Sequence, residues 1–455
     1  MLPESIRIAI IAASDFVWGP WTMALLIGTG VYLTVRLRFV QLTHFREGLR
    51  AMMPAQASGA GSLSPFQAFM TALAASIGTG NIAGVATAIV SGGPGALFWI
   101  WVYGFFATAI KFVEAVLGIQ YRKVHGDQVS AGPMHYLKDG LGSPKLAWLY
   151  AVIAGVAALT TTPFTQPNSM AVVLQSQFQI PPLASGVAIA VLTWLVVIGG
   201  VKSIGRVAER LAPLKVGLYL AGGLIVILTH VAQLPAVFAL IFREAFSLEA
   251  AGGGAIGVGM MAAMRYGIAR GIYANEAGYG TAAVAYGSAR TDAPVQQGLQ
   301  AVMEVFIVSF VTSTISALVI LASGAWTSGL TSTAVVAQAF NTAIPTVGGW
   351  VVAFCAFLFG YTTLIGWAYY GEQFLEYAFG LRITKPYRWI YCGLVVFGAM
   401  GKVETIWAWG DLMNGLQVFP NLVGLIGLSG VAASVLRKPQ AQPEQPVQPA
   451  APPTA

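Results

Sequence analysis

The sequence predicts an all-α integral membrane protein of about eleven transmembrane helices, the last ten arranged as a five-plus-five inverted repeat. Composition, the length of the apolar runs and the sidedness of the basic residues predict it. Of the 455 residues, 56% are hydrophobic and 9% charged, whereas a soluble domain carries roughly a quarter charged residues. Mean hydropathy is +0.72. The apolar runs approach the roughly 20 residues a spanning helix needs and far exceed the strands of a membrane barrel. The 53 glycines and 23 prolines weaken helices in water. Membrane bundles tolerate them, because neighbouring helices re-satisfy the backbone and small residues allow close approach.

The spans fall at roughly 15–35, 64–90, 95–118, 147–172, 184–200, 212–233, 253–275, 297–323, 347–377, 388–409 and 412–436. The opening MLPESIRIAI lacks the basic n-region and cleavage site of a signal peptide. With the N-terminus outside, the inside loops collect Arg36, Arg38, Arg46, Arg50, Arg122, Lys123, Lys138, Lys145, Lys202, Arg206, Arg210 and Lys215. Further along they collect Arg290, Arg382, Lys385, Arg388, Arg437 and Lys438, leaving Arg7, Arg243 and Lys402 outside. That bias follows the positive-inside rule and expects N-out, C-in topology in a plasma or bacterial inner membrane.

Four regions follow: 1–63, an extra helix with a cytoplasmic loop; 64–240, the first repeat; 241–436, the second; and 437–455, a tail too rich in Pro, Ala and Gln to build a core. An odd number of spans per repeat sets the halves upside down to each other, a transporter design with broken first helices. SIGTGNIAG at 76–84 and AGGGAIGVG at 251–259 stand in matching places. The net charge of +7 is dispersed over short loops, which argues against nucleic acid. Cys355 and Cys392 lie in apolar segments and read as free thiols, and four scattered histidines give no metal cluster.

Three segments carry candidate chemistry. Ser76-Ile77-Gly78-Thr79-Gly80-Asn81 interrupts a long apolar span with residues that loosen a helical ladder. A break there exposes amide N–H groups suited to a carboxylate and carbonyl oxygens suited to sodium. The bland alternative is a small-residue packing face with Asn81 bonded to a neighbour. Thr362 and Thr363 are adjacent hydroxyls deep in a span, able to help ligate a hard cation or simply to bond the preceding turn. Trp367 shares a helix face with Thr363 and serves as a pocket wall or as packing. Gln166, between Pro163 and Pro167, can hold either end of a zwitterion, or belong to a kinked span whose polar groups satisfy one another. Glu114, Glu276, Glu304 and Glu372 lie in or near apolar stretches. Glu276 is expected to pair structurally with Arg270 or Arg290, and protonation of the deep Glu304 stays open.

FQAFMTALAASIGTGNIAGVATAI at 66–89, the run that begins at Gly93 and ends at Gly118, GPMHYL at 132–137, ARGIYANEAGYGTA at 269–282, ARTDAPVQQG at 289–298 and TTLIGWAYYGEQFLEYAFG at 362–380 occur in order. The chain on these motifs resembles the alanine or glycine:cation symporter family, the sodium:alanine symporters, through about residue 436. The resemblance implies a fold similar to the amino acid–polyamine–organocation superfamily. It implies uptake of L-alanine, glycine or D-alanine with Na⁺, or sometimes H⁺, and no other cofactor. Carried over by position, it puts the substrate carboxylate near Thr79, Gly80 and Asn81, with Gln166 and Trp367 closing a small pocket. Sodium is implied between carbonyls near Ala74 and Ile77 and the hydroxyls of Thr362 and Thr363. Three departures stand out: Val308 where members commonly carry Asp, Tyr279 where Leu is usual, and extra prolines around Gln166.

The expected activity is secondary active symport by alternating access, in which cation and substrate each raise affinity for the other. An enzyme would need convergent nucleophile, base or metal groups, which the sequence does not offer. A proton-coupled carrier is the nearest alternative and an amino acid-sensing receptor a more distant one.

Overall fold

The computed structural model describes residues 4–54, 57, 59–125, 128–247 and 259–438. The proline-rich tail beyond 438 and nearly all of the Gly-rich 251–259 stretch lie outside the described residues. Long helices dominate, and the one pair of strands among the described residues is a hairpin of Lys123–His125 with Gln128–Ser130. The bundle is built inside out relative to a soluble protein. Large apolar side chains such as Phe397, Leu228 and Trp389 face outward, while Thr79, Asn81, Gln166, Glu304 and Lys215 are buried. Only a lipid environment rewards that arrangement.

Six described helices are long and apolar enough to cross a membrane; two bent pairs bring the number to eight, and Pro182–Val197 is a shorter apolar helix. The chain is therefore a multi-pass helical membrane bundle. Some boundaries differ from expectation. Thr384–Met400 ends one residue before Gly401 and the next helix begins at Val403, where sequence placed the turn near 410. Gly401 and a β-extended Lys402 end and restart the helix. Two helices between spans, Leu234–Ala245 and Ser332–Ala343, were not expected.

Both broken helices are visible. The first begins at a capping box, in which Ser64 Oγ accepts from Gln67 N and Gln67 Oε1 accepts from Ser64 N, with Pro65 at the first helical position. It runs Pro65–Ser76 and leaves helical geometry at Ile77 and Gly78. A 3₁₀ turn, Thr79–Asn81, leads into Ala83–Gly92, with a bend of 56° across the break. The second runs Met260–Asn275 and resumes at Thr281–Gly287. Left-handed conformations at Glu276, Gly278 and Gly280 interrupt it. The second interruption is thus NEAGYG, downstream of the Gly-rich run that sequence had nominated. Val308 is fully buried in a π-helical stretch, Ile307–Thr312.

Lys215 requires a correction. Sequence counted it among the cytoplasmic loop charges, but it lies within the 30-residue helix Gly200–Thr229 and is 0% exposed. The helix continues from the loop into the bundle, so the last of four basic residues is carried inside.

Candidate substrate and cation site

The break in the first helix separates two sets of backbone groups. On the amide side, Thr79 N and Thr79 Oγ1 both donate to Gln166 Oε1 at 2.9 Å. An amide oxygen therefore sits where a substrate carboxylate was expected. Gly78 makes the approach possible, since a Cβ there would stand 2.6 Å from Thr363 Oγ1 and 3.0 Å from Gln166 Oε1. Asn81 turns away and ties the break to its neighbours. Its Nδ2 donates to Ser76 O at 3.0 Å, its Oδ1 accepts from Thr312 Oγ1 at 3.2 Å, and its carbonyl accepts from Ser316 Oγ at 2.6 Å.

On the carbonyl side, the oxygens assigned to a cation do converge. Lys215 Nζ donates to Ala74 O at 2.9 Å, to Ile77 O at 2.5 Å and to Thr362 Oγ1 at 2.5 Å. Thr363 Oγ1 donates to Ala75 O at 2.7 Å and to Ala74 O at 3.3 Å. An ammonium has three N–H donors, and each meets one oxygen. Lys215 Nζ thus stands on these oxygens one N–H to each, and a sodium ion would have to displace it to reach them. An ionisable residue inside a span is a functional candidate by default. The signal was legible as a lone Lys within LAPLKVGLYL.

Between the two sides lies a cavity of about 10 Å³, the room of a single water. Gly80, Gln166, Thr363 and Trp367 line it with Tyr273, Glu276 and Tyr279. Trp367 Nε1 donates to Glu276 Oε1 at 2.6 Å, and Thr281 Oγ1 donates to Glu276 Oε2 at 2.9 Å. Glu276 therefore faces the cavity and does not pair with either arginine. Arg270 instead holds Asp411 through two nitrogens, at 3.0 and 2.5 Å, with its guanidinium over Trp407. Among the described residues, Thr161 Oγ1 and Tyr279 OH are buried without a hydrogen-bond partner, and both residues line the cavity. Sequence reasoning had read Glu276 as an ion-pair residue and Tyr279 as a departure from the family pattern, and had not singled out Thr161.

The second break is held by charges. Lys111 Nζ donates to Asn275 O at 2.5 Å, to Glu304 Oε1 at 2.6 Å and to Ser76 Oγ at 3.1 Å. Ser76 Oγ also bonds Glu304, and Tyr286 OH donates to Glu304 Oε2 at 2.7 Å. Glu114 Oε1 accepts from Gly278 N at 2.9 Å, Gly280 N at 3.1 Å and Asn421 Nδ2 at 2.8 Å. Lys111 had not been singled out, and its partner Glu304 was read without it.

Known proteins give this geometry a context. The chain is similar in fold to MhsT in complex with L-phenylalanine, with TM-score 0.60 at 12% identity over 83% of this chain and 98% of that one. It is also similar to the Eremococcus coleocola manganese transporter, with TM-score 0.56 at 15% identity over 81% and 83%. In sequence it is 38% identical to the sodium/alanine symporter AgcS of Methanococcus maripaludis, over 92% of this chain and 94% of the relative. It is 35% identical to the probable sodium/glutamine symporter GlnT of Bacillus subtilis, over 93% and 89%. Identity to the putative sodium/proton-dependent alanine carrier YrbD of the same organism is 34%, over 92% and 90%. The model of the sodium:alanine symporter family matches residues 4–451, and the chain belongs to that family.

Proposed function

We propose that this secondary-active amino acid transporter imports alanine, glycine or an amino acid of similar size by alternating access. Family membership sets it among symporters, not enzymes. The observation that carries the substrate reading is the pair of Thr79 donors held by a neutral oxygen, Gln166 Oε1, beside the small cavity. A substrate carboxylate displaces that oxygen and gains a charge-assisted bond in its place. The α-ammonium is then directed to Glu276, with the Thr161 and Tyr279 hydroxyls as further partners. Trp367 and Tyr273 wall the side-chain end, and the small volume favours a methyl or hydrogen there. Asn81 contributes by holding the break rigid.

The element order supports eleven spans and an inverted five-plus-five repeat. After Glu4–Arg36 come a broken helix, Ala96–Gln120, Pro144–Phe178, Pro182–Val197 and Gly200–Thr229. Then come a second broken helix, Pro294–Ala322, Val347–Phe379, Thr384–Met400 and Val403–Gly427. With the N-terminus outside, Arg270–Asp411 lies on the outer side of the cavity and acts as a gate that opens for entry. The family and the name of its archaeal relative support sodium as the coupling cation. Convergence of Ala74, Ile77 and Thr362 on one positive charge supports these oxygens as a cation site.

Uptake of labelled L-alanine into proteoliposomes under an inward cation gradient tests this reading. Accumulation above the external concentration, abolished in Glu276→Gln, is expected. Wild-type protein that equilibrates or ignores alanine and glycine under every gradient would sink it.

A further inference from the structure

We infer that Lys215 is the resident cation of the oxygen site at the first break and so determines the cation selectivity of this symporter. The inference rests on the symport reading above and deepens it at one site. Three oxygens from two helices close on Nζ: Ala74 O and Ile77 O from the end of the first half-helix, and Thr362 Oγ1 from the facing span. The carbonyl end of a helix carries partial negative charge and favours a cation. The ring of Phe359 adds a second cation-binding surface, with its centroid 5.3 Å from Nζ. The ammonium thus makes the contacts through which a bound metal cation would pin the broken helix to the Thr362 span.

Its lack of a counter-ion separates Lys215 from an ordinary buried lysine. Among the described residues no carboxylate lies within ion-pair distance of Nζ. Glu276, the carboxylate whose field reaches it, is engaged by Trp367 and Thr281. Pro65–Ser76, Pro182–Val197, Ser313–Ala322 and Ser332–Ala343 contain no acidic or basic residue, and the facing span Val347–Phe379 carries its acids, Glu372 and Glu376, ten or more residues beyond Thr362, with Glu372 held by Arg388. The charge is therefore satisfied by neutral oxygens alone, as a coupling ion's charge is. Unlike an ion it is tethered to the Gly200–Thr229 helix and cannot leave with the substrate. Sodium reaches these oxygens only when the ammonium is withdrawn, so alanine binding draws on no sodium at this site.

The test is alanine binding to the purified full-length protein by titration calorimetry, in sodium chloride and in choline chloride. Wild type is compared with Lys215→Met and Lys215→Gln. Both variants are expected to lose at least about tenfold in affinity in choline and to recover it in sodium, with a much smaller change in wild type. Equal salt dependence in wild type and variants would overturn the inference, as would variants that bind in choline as tightly as wild type. If no protein binds alanine or glycine in either salt, the substrate reading fails, and melting temperature decides the inference instead. Sodium should then stabilise the variants over choline and leave wild type unmoved, equal shifts being the contrary result. Should both variants misfold, a high-resolution structure of wild type at saturating sodium decides: Nζ on the three oxygens supports the inference, and a metal between them with Lys215 displaced refutes it.

Discussion

The two broken helices face the same electrostatic problem and solve it differently. Each break exposes carbonyls at the end of one half-helix and amides near the start of the next. In the second break both ends are closed by ionisable side chains held in hydrogen bonds. Lys111 caps Asn275 O and is neutralised by Glu304, while the Glu114 carboxylate accepts from Gly278 N and Gly280 N. In the first break the carbonyl end holds the ammonium of Lys215, without a counter-ion, and the amide end holds the neutral oxygen of Gln166. Side chains of the bundle bonded at both ends make the second break scaffold. A neutral occupant makes the amide end of the first break exchangeable, which is what a substrate site that must fill and empty on every cycle requires, while the tethered Lys215 stays on the carbonyl end.

Removing Lys111 should have the largest effect on stability. Lys111→Met leaves Glu304, which is 0% exposed, without its cation, and breaking such a pair costs on the order of 3 kcal/mol. Thermal unfolding in detergent should show a large loss of melting temperature, much of it restored by adding Glu304→Gln. If Lys111→Met melts like wild type, the second break is not held by charge and the contrast with Lys215 collapses.

The contrast can also be erased from the other side. Gln166→Glu keeps the shape of the side chain but gives the first break a fixed carboxylate, as Glu114 gives the second. A carboxylate already on Thr79 N repels the substrate's own. Alanine affinity should fall about ten- to a hundredfold, ~1.4–3 kcal/mol, while the protein stays folded. Unchanged affinity by calorimetry would mean that the substrate carboxylate binds elsewhere.

Much of this was written in the sequence, and the rest was hidden for physical reasons. Long apolar runs announced the bundle, and glycine around Thr79 announced the first break, because helix weakness at membrane depth is a local property. The interruption at 276–280 had not been singled out: Glu276 does not look like a breaker, and its left-handed conformation stands with those of Gly278 and Gly280, whose amides the distant Glu114 accepts. The oxygens of Ala74, Ile77 and Thr362 were named from family resemblance, yet their occupant was assigned to a cytoplasmic loop. Charge counting sees that a lysine is near a helix end but not how far the helix has carried it inward.

Close approach at the first break offers a smaller perturbation. Gly78→Ala would bring a methyl to 2.6 Å from Thr363 Oγ1, forcing the Thr362–Thr363 span away from the break. Overpacking of this kind costs about 1–3 kcal/mol. Uptake of alanine should drop more than the melting temperature does, because the displaced span carries part of both the cation and the substrate site. A variant with wild-type uptake would show that this contact has slack.

The smallest expected effect separates two roles within the cavity. Trp367→Phe keeps the aromatic wall and removes only the N–H bonded to Glu276 Oε1. A carboxylate losing one of its two donors is left more available to a substrate ammonium, whereas the empty protein loses about 1–2 kcal/mol of hydrogen bonding. The two consequences oppose each other in transport and add in the alanine-induced rise in melting temperature. Trp367→Phe should therefore melt lower without ligand but be stabilised by alanine at least as much as wild type. If alanine stabilises the variant less, Trp367 Nε1 touches the substrate itself, and Glu276 serves the second break with Glu114 instead of the exchangeable first.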